Sequence, residues 1–139
     1  MPAFWNAEGV ALKQKGMNVR EFRVDEYGAP PYPEVVLITS RRTLEQHRDR
    51  VRAALAAIDG GLKDTLADPG EAVRVIAQAA ETKDVGLVAA QLEAVRPVFA
   101  RGLRLDRRVI DRWATFDARI GIVDKRPDTH RAFAYDVAP

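Results

Sequence analysis

One stretch of the sequence, residues 25–40, constrains the fold more than any other. Three prolines, Pro30, Pro31 and Pro33, fix φ and remove backbone N–H donors, so this part of the stretch cannot be regular. A continuous apolar run of branched and aliphatic residues, 35–38, follows them and predicts a strand that is covered on both faces, as in a parallel sheet. A rigid loop that leads into a buried strand places functional groups at the strand end. The stretch therefore predicts an α/β protein.

The segment before this stretch predicts one short helix and one short strand. Asn6 is a suitable N-cap for the helix, Glu8 falls in its first turn, and Gly16 is a suitable C-terminal cap. Apolar residues then alternate with charged ones over residues 19–24, which is the pattern of a half-buried strand.

After residue 40 the pattern predicts helices. A stripe of apolar residues runs through residues 44–66, with a short turn expected before the long helix, over residues 41–46. Pro69 is expected to begin the next helix, in which Val73, Ile76 and Ala80 are expected to be buried. Pro97 is expected to end the following helix, which begins after capping residues at 82–84. Asp106 is expected to cap the last helix, and a polar tail with the candidate anchors Phe133 and Tyr135 completes the chain.

Composition excludes several classes of function. The 139 residues suffice for one domain, and 22 basic residues against 20 acidic ones give a net charge of only +2. A balance this even does not indicate a nucleic-acid-binding surface. The absence of cysteine removes disulfides, thiolate zinc sites and thiol catalysis. The sequence contains no apolar run long enough to span a membrane and no visible secretory signal.

The usual catalytic and metal-binding patterns are also missing. His47 and His130 have no partner histidine at ligand spacing and are expected to be surface residues. Gly60 and Gly61 lie inside a helical stripe and lack the strand and lysine of a phosphate-binding loop. Paired carboxylates lie beside arginines on helix faces, as in surface ion pairs. We therefore predict no catalytic residue, no metal ligand and no cofactor.

The aromatic residues are clustered, since five of them, half of those in the chain, lie in the first 33 positions. These five are Phe4, Trp5, Phe22, Tyr27 and Tyr32. Aromatic rings most often serve a core, and that interpretation stays open for each of them. The loop positions of Trp5, Tyr27 and Tyr32 also suit ligand stacking. Flat rings beside Asn6 and Glu8 would fit a planar heterocycle whose amino groups donate to the carboxylate.

Three segments together resemble a known family. Residues 4–10 (FWNAEGV), 22–28 (FRVDEYG) and 31–37 (PYPEVVL) are similar to the thiamine-pyrimidine-precursor-binding family. Its members are substrate-binding proteins of ABC importers and are related to the fungal thiamine-pyrimidine synthase. The later helices are similar in order and spacing, so the resemblance covers nearly the whole chain but only the C-terminal part of the family.

The resemblance implies a fold and a function. The fold would be the C-terminal portion of a two-lobe periplasmic-binding-protein (type II) fold, mostly helical after residue 40. Residues 1–31 would end the second lobe, and residues 32–139 would form a crossover strand and the helical part of the first lobe. The function would be binding of an aminopyrimidine precursor of thiamine, without enzymatic activity, together with an ABC permease, in the periplasm or at the cell surface. The ligand-binding residues would be Trp5, Asn6, Glu8, Tyr27 and Tyr32.

Two alternatives and two structural expectations accompany this prediction. The chain could instead belong to an enzyme of thiamine-pyrimidine synthesis, or be a truncated fragment that only associates with itself. Tyr32, held between two prolines, is expected at the hinge between the lobes with its ring facing the cleft. The apolar strand at residues 35–38 lacks neighbours within the chain, so we expect a homo-oligomer.

Overall fold

The computed structural model describes residues 3–100 and 102–139, and in this part of the chain every regular element is a helix. The α-helices are α1 (Val10–Gln14), α2 (Arg41–Gln46), α3 (Arg48–Ala67), α4 (Pro69–Ala79), α5 (Val85–Val95), α6 (Arg107–Arg119) and α7 (Thr129–Ala132). A π-helix, Trp5–Gly9, precedes α1, and the 3-10 helices are Val24–Tyr27 and Arg96–Val98. No helix in the described ranges is both long enough and apolar enough to cross a membrane.

The predicted α/β class is wrong, because neither predicted strand forms. Residues 19–23 have no regular structure, and Val24 begins a 3-10 helix. Residues 35–38 are exposed, Val35 by 89% and Ile38 by 85%. In the described part of the chain, residues 30–39 make no backbone–backbone hydrogen bond. A strand is held by its neighbours, and these two segments do not pair with each other. The structure therefore does not confirm the crossover strand or the two-lobe binding-protein fold.

The helices predicted after residue 40 are confirmed, and local chemistry explains where they begin. Ser40 accepts a hydrogen bond from the Thr43 N–H at 3.0 Å and starts α2, the short turn expected before the long helix. Asp68 accepts from the Glu71 N–H at 2.9 Å, directly before Pro69 at the start of α4. Asp84 and Asp106 cap α5 and α6 in the same way, as their sequence positions predict.

Helix ends follow equally local rules. Gly16 has φ +72°, and the Met17 N–H donates to the Leu12 carbonyl at 3.1 Å, which closes α1 with a Schellman motif. Glu81 occupies the equivalent place after α4, where the Thr82 N–H donates to the Ala77 carbonyl at 3.1 Å. Its φ of +50° is unusual for a residue with a side chain. Pro97 lies in the 3-10 helix that ends α5, as predicted.

The chain divides into two compact units, and each has its own buried residues. The first unit is Met1–Glu21 with Ile58–Arg101, and the second is Phe22–Ala57 with Gly102–Pro139. In the first, Val73 and Ala77 of α4 and Leu92 of α5 are buried. Ile76 and Ala80 were predicted to be buried with Val73, but both are exposed. The buried side of α4 is therefore narrower than its apolar stripe, and it includes Val73 and Ala77, one turn apart.

In the second unit, Ile110 and Ala114 of α6 are buried together with Val137 of the tail. Phe133 and Tyr135, the predicted anchors, are half-buried, and their ring centroids lie 6.3 Å apart. The tail is therefore folded onto this unit rather than a solvated extension. α7 begins in it at Thr129, where the Asp128 carboxylate accepts from the His130 and Arg131 N–H groups.

Candidate functional site

Three of the five residues predicted to bind ligand lie on the π-helix. Trp5, Asn6 and Glu8 fall within Trp5–Gly9, where the Gly9 N–H donates to the Phe4 carbonyl at 3.2 Å. Phe4 rather than Asn6 is the N-cap residue, so the predicted capping role of Asn6 is wrong. A π-helical turn widens the helix and occurs frequently at functional sites. The turn therefore coincides with the part of the sequence where a ligand site is predicted.

The Glu8 carboxylate stabilises this turn. Its Oε2 accepts a hydrogen bond from the Phe4 N–H at 2.8 Å, which satisfies one of the donors that a helix start leaves unpaired. The side chain is exposed, so its other oxygen has free hydrogen-bonding capacity toward solvent or a ligand. The Gln91 side chain of α5 donates to the Ala7 carbonyl at 3.3 Å, so a hydrogen bond also joins α5 to this turn.

Gly9 leaves room for the end of the Glu21 side chain, which would have to move if position 9 carried a Cβ. A Cβ placed on Gly9 would lie 2.6 Å from Oε1 of Glu21. Glu21 pairs with Lys13 of α1 at 2.7 Å, so the carboxylate connects the start of the chain to its first helix. Trp5 is exposed and Asn6 is half-buried. The turn thus offers an aromatic face, an amide and a carboxylate within four residues.

Tyr27 lies in the second unit, at the end of the 3-10 helix Val24–Tyr27, and 71% of it is exposed. Its ring lies 6.2 Å from that of Phe22. Before it, Arg23 donates to both carboxylate oxygens of Asp25, at 3.2 and 2.9 Å. These hydrogen bonds lower the pKa of Asp25 below its usual value, and the same pair raises the pKa of Arg23. This bidentate Arg23–Asp25 ion pair restrains the backbone directly before Tyr27.

Tyr32 also lies in the second unit, outside any helix, as its proline neighbours predict. Its ring stacks on that of Trp113 in α6, with centroids 4.2 Å apart and planes inclined by 27°. Trp113 in turn lies 5.3 Å from Phe116. Tyr32 is 43% exposed, so a ligand has access to the ring only away from Trp113. The hinge role of Tyr32 stays a prediction.

Sequence reasoning missed Trp113 as a partner of the candidate site. In the sequence Trp113 is one of several apolar residues of the last helix, and no local signal connects it to Tyr32. The ligand-binding role of Trp5, Asn6 and Glu8 in one unit, and of Tyr27 and Tyr32 in the other, likewise stays a prediction.

The second unit contains two shallow cavities. One is bordered by α6 and the loop after Tyr27, and its lining residues are Gly28, Pro30, Arg112, Thr115, Phe116 and Arg119. The other lies at the tail beside α3 and includes Arg52 and Asp136. Arg48 binds Asp136 at 2.6 Å, and this hydrogen bond lowers the pKa of the Asp136 carboxyl below its usual value.

His47 and His130 are both exposed, which confirms their prediction as surface residues. Across residues 3–100 and 102–139, no three His, Asp or Glu side chains come together in a group that could hold a metal ion.

A comparison with family models gives one match. The model described as NMT1/THI5 like matches residues 1–72, about half of the chain. The matched range contains the π-helix with Trp5, Asn6 and Glu8, and also Tyr27 and Tyr32. No curated protein and no solved structure matches the chain significantly.

Proposed function

The chain belongs to the NMT1/THI5-like family, and on this basis we propose that it binds an aminopyrimidine precursor of thiamine. The family is linked to the binding or the synthesis of the thiamine pyrimidine. The resemblance seen in the three N-terminal segments lies within the range that the family model matches.

The π-helix is the observation that carries this proposal. It places Trp5, Asn6 and Glu8 in a single turn, with Glu8 exposed and only one of its oxygens engaged by Phe4. An aminopyrimidine is a flat aromatic ring with an exocyclic amino group and ring nitrogens. Trp5 supplies a stacking face, Glu8 an acceptor for the amino group, and Asn6 a donor for a ring nitrogen.

Two further aromatic residues support the same ligand class. Tyr27 and Tyr32 each present an exposed ring on a restrained backbone, the first after the Arg23–Asp25 fork and the second between two prolines. Little conformational freedom is lost when such rings are used for stacking.

The role of Glu8 is tested by calorimetric titration of the full gene product with the aminopyrimidine of thiamine. A hydrogen bond to a carboxylate is worth about 1.5–3 kcal/mol. Glu8→Gln should therefore weaken binding by about ten- to hundredfold. Glu45→Gln is the matched control, because Glu45 is also an exposed helical glutamate but lies on α2. Unchanged affinity in Glu8→Gln would remove this carboxylate from the site.

In the cell, we propose that such binding serves import, with the chain as part of the substrate-binding component of an ABC importer. Its partner would then be an ABC permease, and its location the periplasm or the cell surface. Both follow from the family resemblance. Transport assays in a strain that lacks the gene test this role, since uptake of the pyrimidine should fall and be restored by the intact gene.

The second candidate is an enzyme of thiamine-pyrimidine synthesis, since the same family link extends to synthesis. Measurements of the iron content and the catalytic turnover of the protein distinguish a binding protein from an enzyme. A binder releases the aminopyrimidine unchanged, whereas a synthase forms it from other compounds.

A further inference from the structure

The cavity beside α6 has a basic lining. Its volume is about 170 Å³, and two of its six lining residues, Arg112 and Arg119, are arginines. No lining residue in the described part of the chain is a carboxylate. All six lie in the second unit, so the cavity belongs to that unit alone.

The two arginines lie on one face of α6. They are seven residues apart, which places their Cα atoms about 10.5 Å apart along the axis and almost on the same side of the helix. Thr115 and Phe116 lie between them and line the same cavity. Two long side chains at this spacing can reach one group held between them.

Neither arginine is neutralised within residues 3–100 and 102–139. The Arg112 side chain makes no hydrogen bond or ion pair in this part of the chain. The Arg119 guanidinium lies over the Phe116 ring, at 5.3 Å from its centroid, and makes no ion pair. Some arginines of the second unit bind carboxylates, as Arg23 binds Asp25 and Arg48 binds Asp136, whereas Arg41 binds a backbone carbonyl, that of Arg131. What distinguishes Arg112 and Arg119 is that both line one cavity with their guanidinium groups not engaged by a carboxylate.

One of the two carboxylates on α6 is already occupied. Asp111 accepts from Arg126 at 3.0 Å and from the Thr129 hydroxyl. Arg126 also donates to the Thr115 hydroxyl at 3.1 Å, and that hydroxyl donates to the Asp111 carbonyl at 2.9 Å. Arg126 thus balances the charge of Asp111, while the other carboxylate of α6, Asp117, is half-buried and does not line the cavity.

We propose that this cavity binds the phosphate group of a phosphorylated small molecule. Arginine matches phosphate because its guanidinium presents parallel N–H donors in a fixed fork. The volume is below the roughly 300–1,000 Å³ of pockets that enclose a whole drug-sized ligand, so the cavity takes one group rather than the entire molecule. Phe116 and Pro30 offer apolar contact to the part next to the phosphate. The inference rests on α6 and the loop at Gly28, and does not depend on aminopyrimidine binding.

The first test measures binding of inorganic phosphate to the full chain by NMR titration. Arg112→Gln and Arg119→Gln should each weaken binding by about tenfold. Arg108→Gln is the matched control, because Arg108 is an exposed arginine of α6 that does not line the cavity. Arg108 lies one turn from Arg112 and reports diffuse attraction alone, so its substitution should weaken binding clearly less than that of either lining arginine. Equal losses in all three variants would show only diffuse attraction and would overturn the proposal, as would the absence of saturable binding.

A second pair of variants tests whether the paired N–H donors of the guanidinium group, and not its positive charge alone, bind the phosphate. Arg112→Lys and Arg119→Lys keep the positive charge but lose the paired donors, so their affinities should lie between those of the parent chain and the glutamine variants. Circular dichroism checks that each variant remains helical. Glutamine and lysine variants with the affinity of the parent chain would contradict the assignment.

A different probe identifies the source of the phosphate. Phenyl phosphate carries the same group next to an apolar ring and is expected to bind more tightly than inorganic phosphate, because Phe116 and Pro30 then contribute. Equal or weaker binding of phenyl phosphate would overturn the assignment to a phosphorylated ligand. Aminopyrimidine binding is measured separately and can fail or succeed without affecting this result.

Discussion

Thr129 is predicted to hold the tail of the chain on α6 through a single hydroxyl group. It is 1% exposed, the most deeply buried side chain in the described residues. Its hydroxyl donates to Oδ1 of Asp111, the same oxygen that accepts from Arg126 at 3.0 Å. Its carbonyl also accepts from the Tyr135 hydroxyl at 3.5 Å and from the Phe133 N–H at 3.1 Å. Thr129→Val removes the hydroxyl and keeps the branched shape.

The expected loss of stability follows from this geometry. A hydrogen bond to a charged acceptor contributes about 1.5–3 kcal/mol. Arg126 still binds Asp111 in the variant, so the carboxylate keeps a partner and the cost should fall in the lower part of that range, about 1.5–2 kcal/mol. Urea unfolding followed by circular dichroism measures this change in the free energy of unfolding. The slope of that free energy against urea concentration should stay unchanged.

Thr65→Val provides the matched control. The Thr65 hydroxyl donates to the Gly61 carbonyl of its own helix at 2.8 Å, a local hydrogen bond that adds little to helix stability. This variant should lie within about 0.5 kcal/mol of the parent chain. If Thr129→Val costs no more than Thr65→Val, the hydroxyl does not hold the tail, and the stability assigned to the cluster is refuted.

Three further predictions concern other parts of the chain. Glu81→Gly should stabilise the chain by about 0.5–1 kcal/mol in urea unfolding, since glycine accepts the positive φ at this helix end; a loss of stability would contradict this. The lowered pKa of Asp136 means that its ion pair with Arg48 contributes above pH 3.8, the usual pKa of the group, and is lost as pH falls through the folded pKa. Asp136→Asn should therefore flatten the fall in melting temperature below about pH 4, and parallel profiles would exclude the pair as a source of acid sensitivity. Light scattering should detect oligomers at micromolar concentration, because residues 35–38 expose a contiguous apolar run, and Leu37→Lys should reduce them; a monomeric parent chain would disprove this expectation.

Helix boundaries could be predicted from the sequence because each depends on a few adjacent residues. Asp68 followed by Pro69, and the break before Val85, specify helix starts through side chain to backbone hydrogen bonds. Gly16 specifies an end through its positive φ. None of these signals needs information from a distant part of the chain.

The predicted strands failed because a strand requires a partner that the sequence pattern does not identify. Residues 35–38 have the composition of a buried strand, yet no described segment pairs with them and their side chains are exposed. Contacts between residues far apart in the sequence could not be predicted either. The stacking of Tyr32 on Trp113 and the hydrogen bond from Thr129 to Asp111 join residues whose proximity only the folded chain creates.

Only the part of the candidate site whose residues are adjacent in the sequence could be predicted. The clustering of Trp5, Asn6 and Glu8 is visible in the sequence, since these residues lie in one turn. The π-helical form of that turn was not visible, because it depends on Glu8 bonding back to Phe4 and on Gln91 from α5. No local signal in the sequence marks the arginines of α6 as a site, and their arrangement beside the loop at Gly28 became apparent only in the structure.

Aminopyrimidine binding at the π-helix is tested most directly by NMR titration of the full gene product with the aminopyrimidine of thiamine. The chain contains two tryptophans, Trp5 and Trp113, and Trp5→Phe assigns the indole N–H signal of each. We expect the Trp5 indole signal and the amides of Trp5–Gly9 to shift with one common, saturable midpoint. Saturable shifts elsewhere without any change in Trp5–Gly9, or no saturable shift at all, would contradict binding at this turn.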